Sequence, residues 1–146
     1  MKDMSNKEIA KILSEFADIM AIKGENDFKI RAYTNAARKI ESYPEDMVEL
    51  AAADKLKEIN GIGSGIADSI KELLQDGVIE EMETIKAELP PGVIEMTDIQ
   101  GLGPKTAHRF YYELEIEDLI SLEEALTAGR IQKLKGFGKK SEAKLL

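Results

Sequence analysis

INGIGSGIA, residues 59–67, sets two glycines around one isoleucine, adds a third glycine two residues on, and runs into helix-forming residues. Glycine is the costliest ordinary residue to place in or beside a helix, so its density here needs a cause. The frame recurs as IQGLGPKTA at 99–107 and as LKGFGKKSE at 134–142. Each copy keeps apolar, spacer, Gly, apolar, Gly in register, and each lies between two stretches of helical character. Three copies of one frame describe a repeated joint, in which a helix stops, turns sharply and hands over to a second helix.

The glycines divide the work of that joint. Gly61, Gly101 and Gly136 are placed to close the first helix with a positive φ, which only glycine adopts cheaply. Gly63, Gly103 and Gly138 then open the second helix with no side chain over its first amides. Ile62, Leu102 and Phe137 point inward as the plug between the two helices. The first N–H groups of a helix have no partner within it and carry the positive end of its dipole, so a bare helix start can accept an anion. Pro104 suits the first turn of its helix. Two readings follow. The glycines give a phosphate backbone close access to main-chain amides, or they are only tight joints between helices. A dinucleotide-binding turn is excluded, because it needs a preceding strand, G-x-G-x-x-G and an acid about twenty residues on.

The rest of the chain suits a helical protein. Its 146 residues are 43% hydrophobic, 33% charged and only 5% aromatic, without cysteine. No sustained apolar/polar alternation marks strands, and neither a signal core nor a membrane-length apolar run is present. A disulfide framework and thiolate metal sites are excluded, and a reducing, cytoplasmic setting is expected. The net charge of −8 opposes generic polyanion binding, yet the charge is unevenly spread. Lys29, Arg31, Arg38 and Lys39 lie in a stretch without acids, and 130–146 is strongly basic, whereas acids gather at Glu80, Glu81, Glu83 and from Glu113 to Glu124. A DNA backbone meets such patches rather than the total.

Apolar periodicity and stop signals lay out the helices. Ser5 and Glu8 form a capping box before the stripe Ile9, Ile12, Leu13, Phe16, Ile19 and Met20, and Gly24 ends that helix. A second helix over 27–42 should turn Phe28, Ala32, Tyr33, Ala36, Ala37 and Ile40 inward. Short helices are expected at 45–52 and 54–59, with another after Gly63 that ends at Asp76-Gly77, and a further one at 78–88. Leu89-Pro90-Pro91-Gly92 reads as the clearest break, dividing the chain into 1–90 and 91–146. Helices near 93–98, 104–114, 121–128 and 139–146 follow, with Ser121–Glu124 as a second capping box.

The glycine frame followed by a helix resembles the helix-hairpin-helix motif, a binder of DNA backbone that ignores sequence. FKIRAYTNAARKIESYP at 28–44, LKEINGIGSGIADSIKELLQDG at 56–77 and TDIQGLGPKTAHRFYYEL at 97–114 together resemble the N-terminal part of a family X DNA polymerase. The likeness covers nearly the whole chain in order. It implies an all-α helical bundle with tandem helix-hairpin-helix motifs, similar to the N-terminal domain of DNA polymerase beta, the third motif being cut short at the C-terminus.

The resemblance also implies partners and roles. The partner is a gapped or nicked DNA duplex, bound by a monomer with no membrane contact. Lys29 and Tyr33 match the residues that hold the downstream 5′-phosphate, with Arg31 on the same segment. For Tyr33, core packing is the competing reading, since it also fits the buried stripe. Backbone contacts fall to Gly61, Gly63, Gly65, Gly101, Gly103, Lys105, Arg109, Gly136, Gly138, Lys139 and Lys140, and His108 could join Lys105 and Arg109. The main-chain carbonyls of Lys57, Ile59 and Ile62, and of Thr97, Ile99 and Leu102, match those that hold a K⁺ or Na⁺ beside a phosphate; no other cofactor is expected. Some members cleave a 5′-deoxyribose phosphate through a lysine Schiff base. Ser69 stands at that position and Gly65 replaces a basic residue near it, so lyase activity is expected to be weak or absent. No paired polymerase carboxylates occur, so nucleotide transfer would belong to a longer chain continuing past Leu146. A lyase using another lysine and a helix-hairpin-helix module that binds protein remain the alternatives.

Overall fold

A computed structural model describes residues 3–133. All regular structure among them is helical. The helices are α1 (Asn6–Lys23), α2 (Asp27–Glu41), α3 (Met47–Ala52), α4 (Ser64–Asp76), α5 (Glu80–Ala87), α6 (Pro91–Met96), α7 (Pro104–Leu114) and α8 (Leu119–Thr127), with 3-10 turns at Leu56–Glu58 and Ile131–Lys133. No helix among the described residues is long and apolar enough to cross a membrane. The helix expected at 139–146 lies outside the described residues.

The residues form two compact units. One takes residues up to Met20 together with Glu25–Ile85, and the other takes Ala21–Gly24 and continues from Lys86. In the first, Ile9, Leu13, Phe16 and Met20 repeat at helical spacing along α1 and are fully buried. At about 1.5–3 kcal/mol per buried side chain of this size, such residues dominate the unit's stability. Ser5 caps the helix, with its Oγ 3.1 Å from Glu8 N–H. At the other end Gly24 takes φ 89°, and the Glu25 N–H reaches back 2.9 Å to the Met20 carbonyl, a Schellman-type closure. The Asn6 side chain fastens the approach to α3, donating 2.8 Å to the Glu45 carbonyl and accepting 2.9 Å from the Met47 N–H.

Two details differ from the sequence expectations. Phe28 is 78% exposed rather than inward. At 100° per residue it stands about 140° round α2 from Tyr33 and opposite Ala37, so the buried stripe cannot include it. The α8 cap is Asp118, not Ser121. Asp118 Oδ1 accepts from the Ser121 N–H at 2.7 Å while the Ser121 hydroxyl accepts from the Asp118 N–H at 3.1 Å. The acid three residues earlier therefore completes the box and the helix gains a half-turn. Leu89–Gly92 spans an interruption of the helices, since α5 ends at Ala87 and α6 begins at Pro91. Leu89 is buried and Pro91 occupies the first turn of α6, where its missing N–H costs nothing.

Candidate nucleic-acid interface

Two hairpins are built alike, one in each unit. In the first, the 3-10 turn Leu56–Glu58 leads through Ile59–Gly63 into α4. In the second, α6 leads through Thr97–Gly103 into α7. The Ile62 N–H bonds the Ile59 carbonyl at 3.1 Å and the Ala67 N–H the Gly63 carbonyl at 3.0 Å. The Leu102 N–H bonds the Ile99 carbonyl at 3.0 Å and the Ala107 N–H the Gly103 carbonyl at 3.0 Å. Gly61 has φ 97° and Gly101 φ 88°, a region that strains any residue with a Cβ. Ile62 and Leu102 are buried and plug their hairpins.

Gly63 and Gly103 differ in kind. Their φ, ψ values are −87°, −175° and −85°, 177°, an extended conformation open to every residue. A Cβ built on either would meet nothing within 4 Å, and the same is true at Gly65. Gly92 makes the contrast, since its added Cβ would lie 2.4 Å from the Glu117 carbonyl oxygen. Neither strain nor crowding inside the protein accounts for Gly63, Gly65 or Gly103. At both helix starts the cap is glycine and offers no side chain to the first amides, and the space a Cβ would fill there is open, at the positive end of a 13-residue and an 11-residue helix.

The flanking side chains are unevenly basic. Lys105 is exposed on the first turn of α7. Arg109, one turn on, is half-buried and bonds Glu113 through Nε at 2.8 Å. His108 turns instead toward the last turn of α1, where its Nδ1 lies 2.7 Å from the Ile22 carbonyl. A carbonyl only accepts, so Nδ1 carries the proton. Lys57 is exposed before the first hairpin, and Ser64 and Gly65 follow Gly63 with no cation. Gly136, Gly138, Lys139 and Lys140 lie outside the described residues.

The two residues expected at a 5′-phosphate differ in exposure and in partners. Lys29 lies half-exposed at the start of α2, where the Asn26 side chain caps the Phe28 and Lys29 N–H groups at 2.7 and 3.3 Å. Its ammonium bonds the Glu81 carboxylate. Tyr33, one turn on, is buried with its ring edge-on to Phe16 at 4.9 Å. Its hydroxyl lies 2.6 Å from Ser69 Oγ. The core-packing reading of Tyr33 is the one its surroundings match, because a buried phenol needs a partner and Ser69 supplies it. Arg31 is exposed and stacks its guanidinium 5.0 Å from the Phe28 ring, a pairing that the outward turn of Phe28 makes available.

The Ile59 and Ile99 carbonyls each accept one bond, from Ile62 and Leu102, which leaves each a second lone pair. Lys71, the lysine nearest to Ser69 in sequence, bonds Asp54 at 2.9 Å. That hydrogen bond, reinforced by the charge of Asp54, raises the Lys71 pKa. An ammonium held in its charged form is a poor Schiff-base nucleophile.

Comparison with known proteins matches residues 4–79 to the helix-hairpin-helix domain family and residues 93–146 to the SAM-like helix-hairpin-helix tandem family. The chain is 37% identical over 143 residues to the DNA polymerase/3′-5′ exonuclease PolX of Bacillus subtilis (strain 168), covering 98% of this chain and 25% of the relative. It is 29% identical over 135 residues to DNA polymerase lambda of Arabidopsis thaliana, covering 90% of this chain and 25% of that protein. The chain thus spans about a quarter of the length of these curated relatives.

Proposed function

Because this chain belongs to the helix-hairpin-helix domain family, we propose that it binds the DNA backbone without reading sequence, as part of a longer family X DNA polymerase, and that it prefers a gapped or nicked duplex. Two relatives that are DNA polymerases support the coarser part of this reading. The observation that carries it is the pair Gly63 and Gly103. Each is a glycine that the fold does not require, set at a helix start to which it brings no side chain.

The mechanism follows from those starts. A glycine at the helix start leaves a phosphate oxygen the clearest approach to the main-chain N–H groups, and the helix dipole favours its charge. Such contacts fix position along the strand and carry no base information. Lys105 adds a charge beside the second hairpin, and Lys29 with Arg31 receives the terminal 5′-phosphate at the downstream edge of a gap. A K⁺ or Na⁺ held by the carbonyls of Lys57, Ile59 and Ile62, or of Thr97, Ile99 and Leu102, would offset the repulsion between those oxygens and a phosphate.

Fluorescence anisotropy with a one-nucleotide-gapped duplex, with and without the downstream 5′-phosphate and at two salt concentrations, tests the proposal. Tighter binding with the phosphate, lost in Lys29→Ala, and a linear fall of log K with log [salt] are expected. Salt-independent binding, or none at low salt, would overturn it in favour of a module that binds protein.

A further inference from the structure

The Lys29–Glu81 contact joins residues 52 apart in sequence, and both side chains sit on well-anchored helices. Met82 and Ile85 bury one side of α5, and the Glu72 carboxylate accepts from the Glu80 N–H at 2.8 Å to cap its start. Glu81 is therefore carried to the first turn of α2 by the fold rather than by a loop. With Glu25, Glu72 and Glu80 it lines an open cleft of about 500 Å³. The Lys29 and Glu81 side chains remain 39% and 50% exposed, so the pair is open to exchange with a ligand in solution.

We propose that Glu81 is a specificity-determining residue: its carboxylate occupies Lys29 in the free protein and yields to a terminal phosphate but not to an internal one. This rests on the proposed role of Lys29 at a 5′-phosphate. The argument is one of charge. An internal phosphodiester carries a single negative charge, so replacing the Glu81 carboxylate on Lys29 exchanges one monoanion for another and leaves Glu81 facing a like charge. Opening the Lys29–Glu81 pair costs the same for either ligand, whereas the net attraction of Lys29 and Arg31 over the repulsion of Glu81 grows with ligand charge; a terminal phosphomonoester carries about −1.5 to −2 at neutral pH and three acceptor oxygens, so it wins the exchange. Lys29 is thereby kept from gripping ordinary backbone and is released at a strand end.

The test compares wild type, Glu81→Gln, Lys29→Ala, the double variant and Glu83→Gln by anisotropy. The probes are an intact duplex and a one-nucleotide-gapped duplex with and without the 5′-phosphate. Glu83 is exposed on the same helix and controls for the change in net charge. An exposed ion pair of this kind is worth about a twofold to fivefold factor. Glu81→Gln is expected to raise affinity for the intact and unphosphorylated probes by about that factor and to narrow the preference for the 5′-phosphate. Lys29→Ala should cancel the gain, and Glu83→Gln should not reproduce it. If wild type prefers the 5′-phosphate through Lys29 but Glu81→Gln leaves that preference unchanged or widens it, Glu81 has no such role while the gap reading stands. If wild type shows no preference for the 5′-phosphate, the gap reading fails, and the role of Glu81 with it.

Discussion

Gly63→Ala separates the two readings of the glycines. Within the protein the substitution is close to neutral. Its φ of −87° and ψ of −175° suit alanine, and nothing lies within 4 Å of the added Cβ. Loss of glycine from a helix N-cap costs about 0.5–1 kcal/mol, and the reduced entropy of the unfolded chain returns about 0.4–1 kcal/mol. The net change in stability should therefore stay within about 0.5 kcal/mol. Gly61→Ala, at φ 97°, should instead cost about 1–2 kcal/mol or more through left-handed strain. On DNA the order reverses for Gly63. A methyl over the first amides of α4 removes a hydrogen bond to a charged acceptor, worth about 1.5 kcal/mol or more, or roughly a tenfold weaker affinity. Urea unfolding followed by circular dichroism gives the first quantity, and anisotropy on gapped duplex the second. If Gly63→Ala keeps both its stability and its DNA affinity, the reasoning is wrong and the glycine is incidental.

Other perturbations probe separate parts of the account. Ser69→Ala leaves the buried Tyr33 hydroxyl without its partner and should cost about 1–3 kcal/mol in urea unfolding; an unchanged midpoint would place the phenol elsewhere. Asn26→Ala removes the α2 cap and should cost about 1 kcal/mol, read in the same assay. Bonds from Ser121 hold the Asp118 carboxyl below the ordinary aspartate range. A depressed folded pKa contributes stability above the unfolded value of about 3.9, and that contribution disappears as pH falls through the folded value. Wild type should therefore exceed Asp118→Asn in stability at neutral pH, with the gap closing in acid; a pH-independent gap contradicts this. Replacing K⁺ and Na⁺ by tetramethylammonium at constant ionic strength should weaken DNA binding if the hairpin carbonyls hold a small cation, and equal affinities would remove the ion from the mechanism.

What the sequence made legible is what local chemistry decides. The positive φ at Gly61 and Gly101, the burial of Ile62 and Leu102 and the span of α7 all follow from the glycine frame and Pro104, because turn chemistry needs no distant partner. Errors arose where a neighbour competes. Phe28 reads as inward because it is apolar, yet its angular position on α2 overrides hydrophobicity for a single residue at a helix end. Ser121 reads as the cap because it begins a capping pattern, and Asp118, a stronger acceptor, takes the cap three residues earlier. The Tyr33–Ser69 bond, the turn of His108 to Ile22 and the Lys29–Glu81 pair had no signal at all. Each links residues at least 36 apart, and only the packing of helices brings them together. Arg31 against Phe28 is a missed contact of another kind, one that sequence could suggest, since residues three apart share a helix face.

Amide chemical-shift mapping tests the central claim most directly. In ¹H–¹⁵N spectra of the protein titrated with gapped duplex, the largest changes should fall on the amides of Gly61–Gly65 and of Gly101, Leu102, Gly103, Lys105 and Thr106, and they should weaken together as salt is raised. Changes that bypass both hairpins while DNA is demonstrably bound would contradict the claim that the bare helix starts hold the backbone.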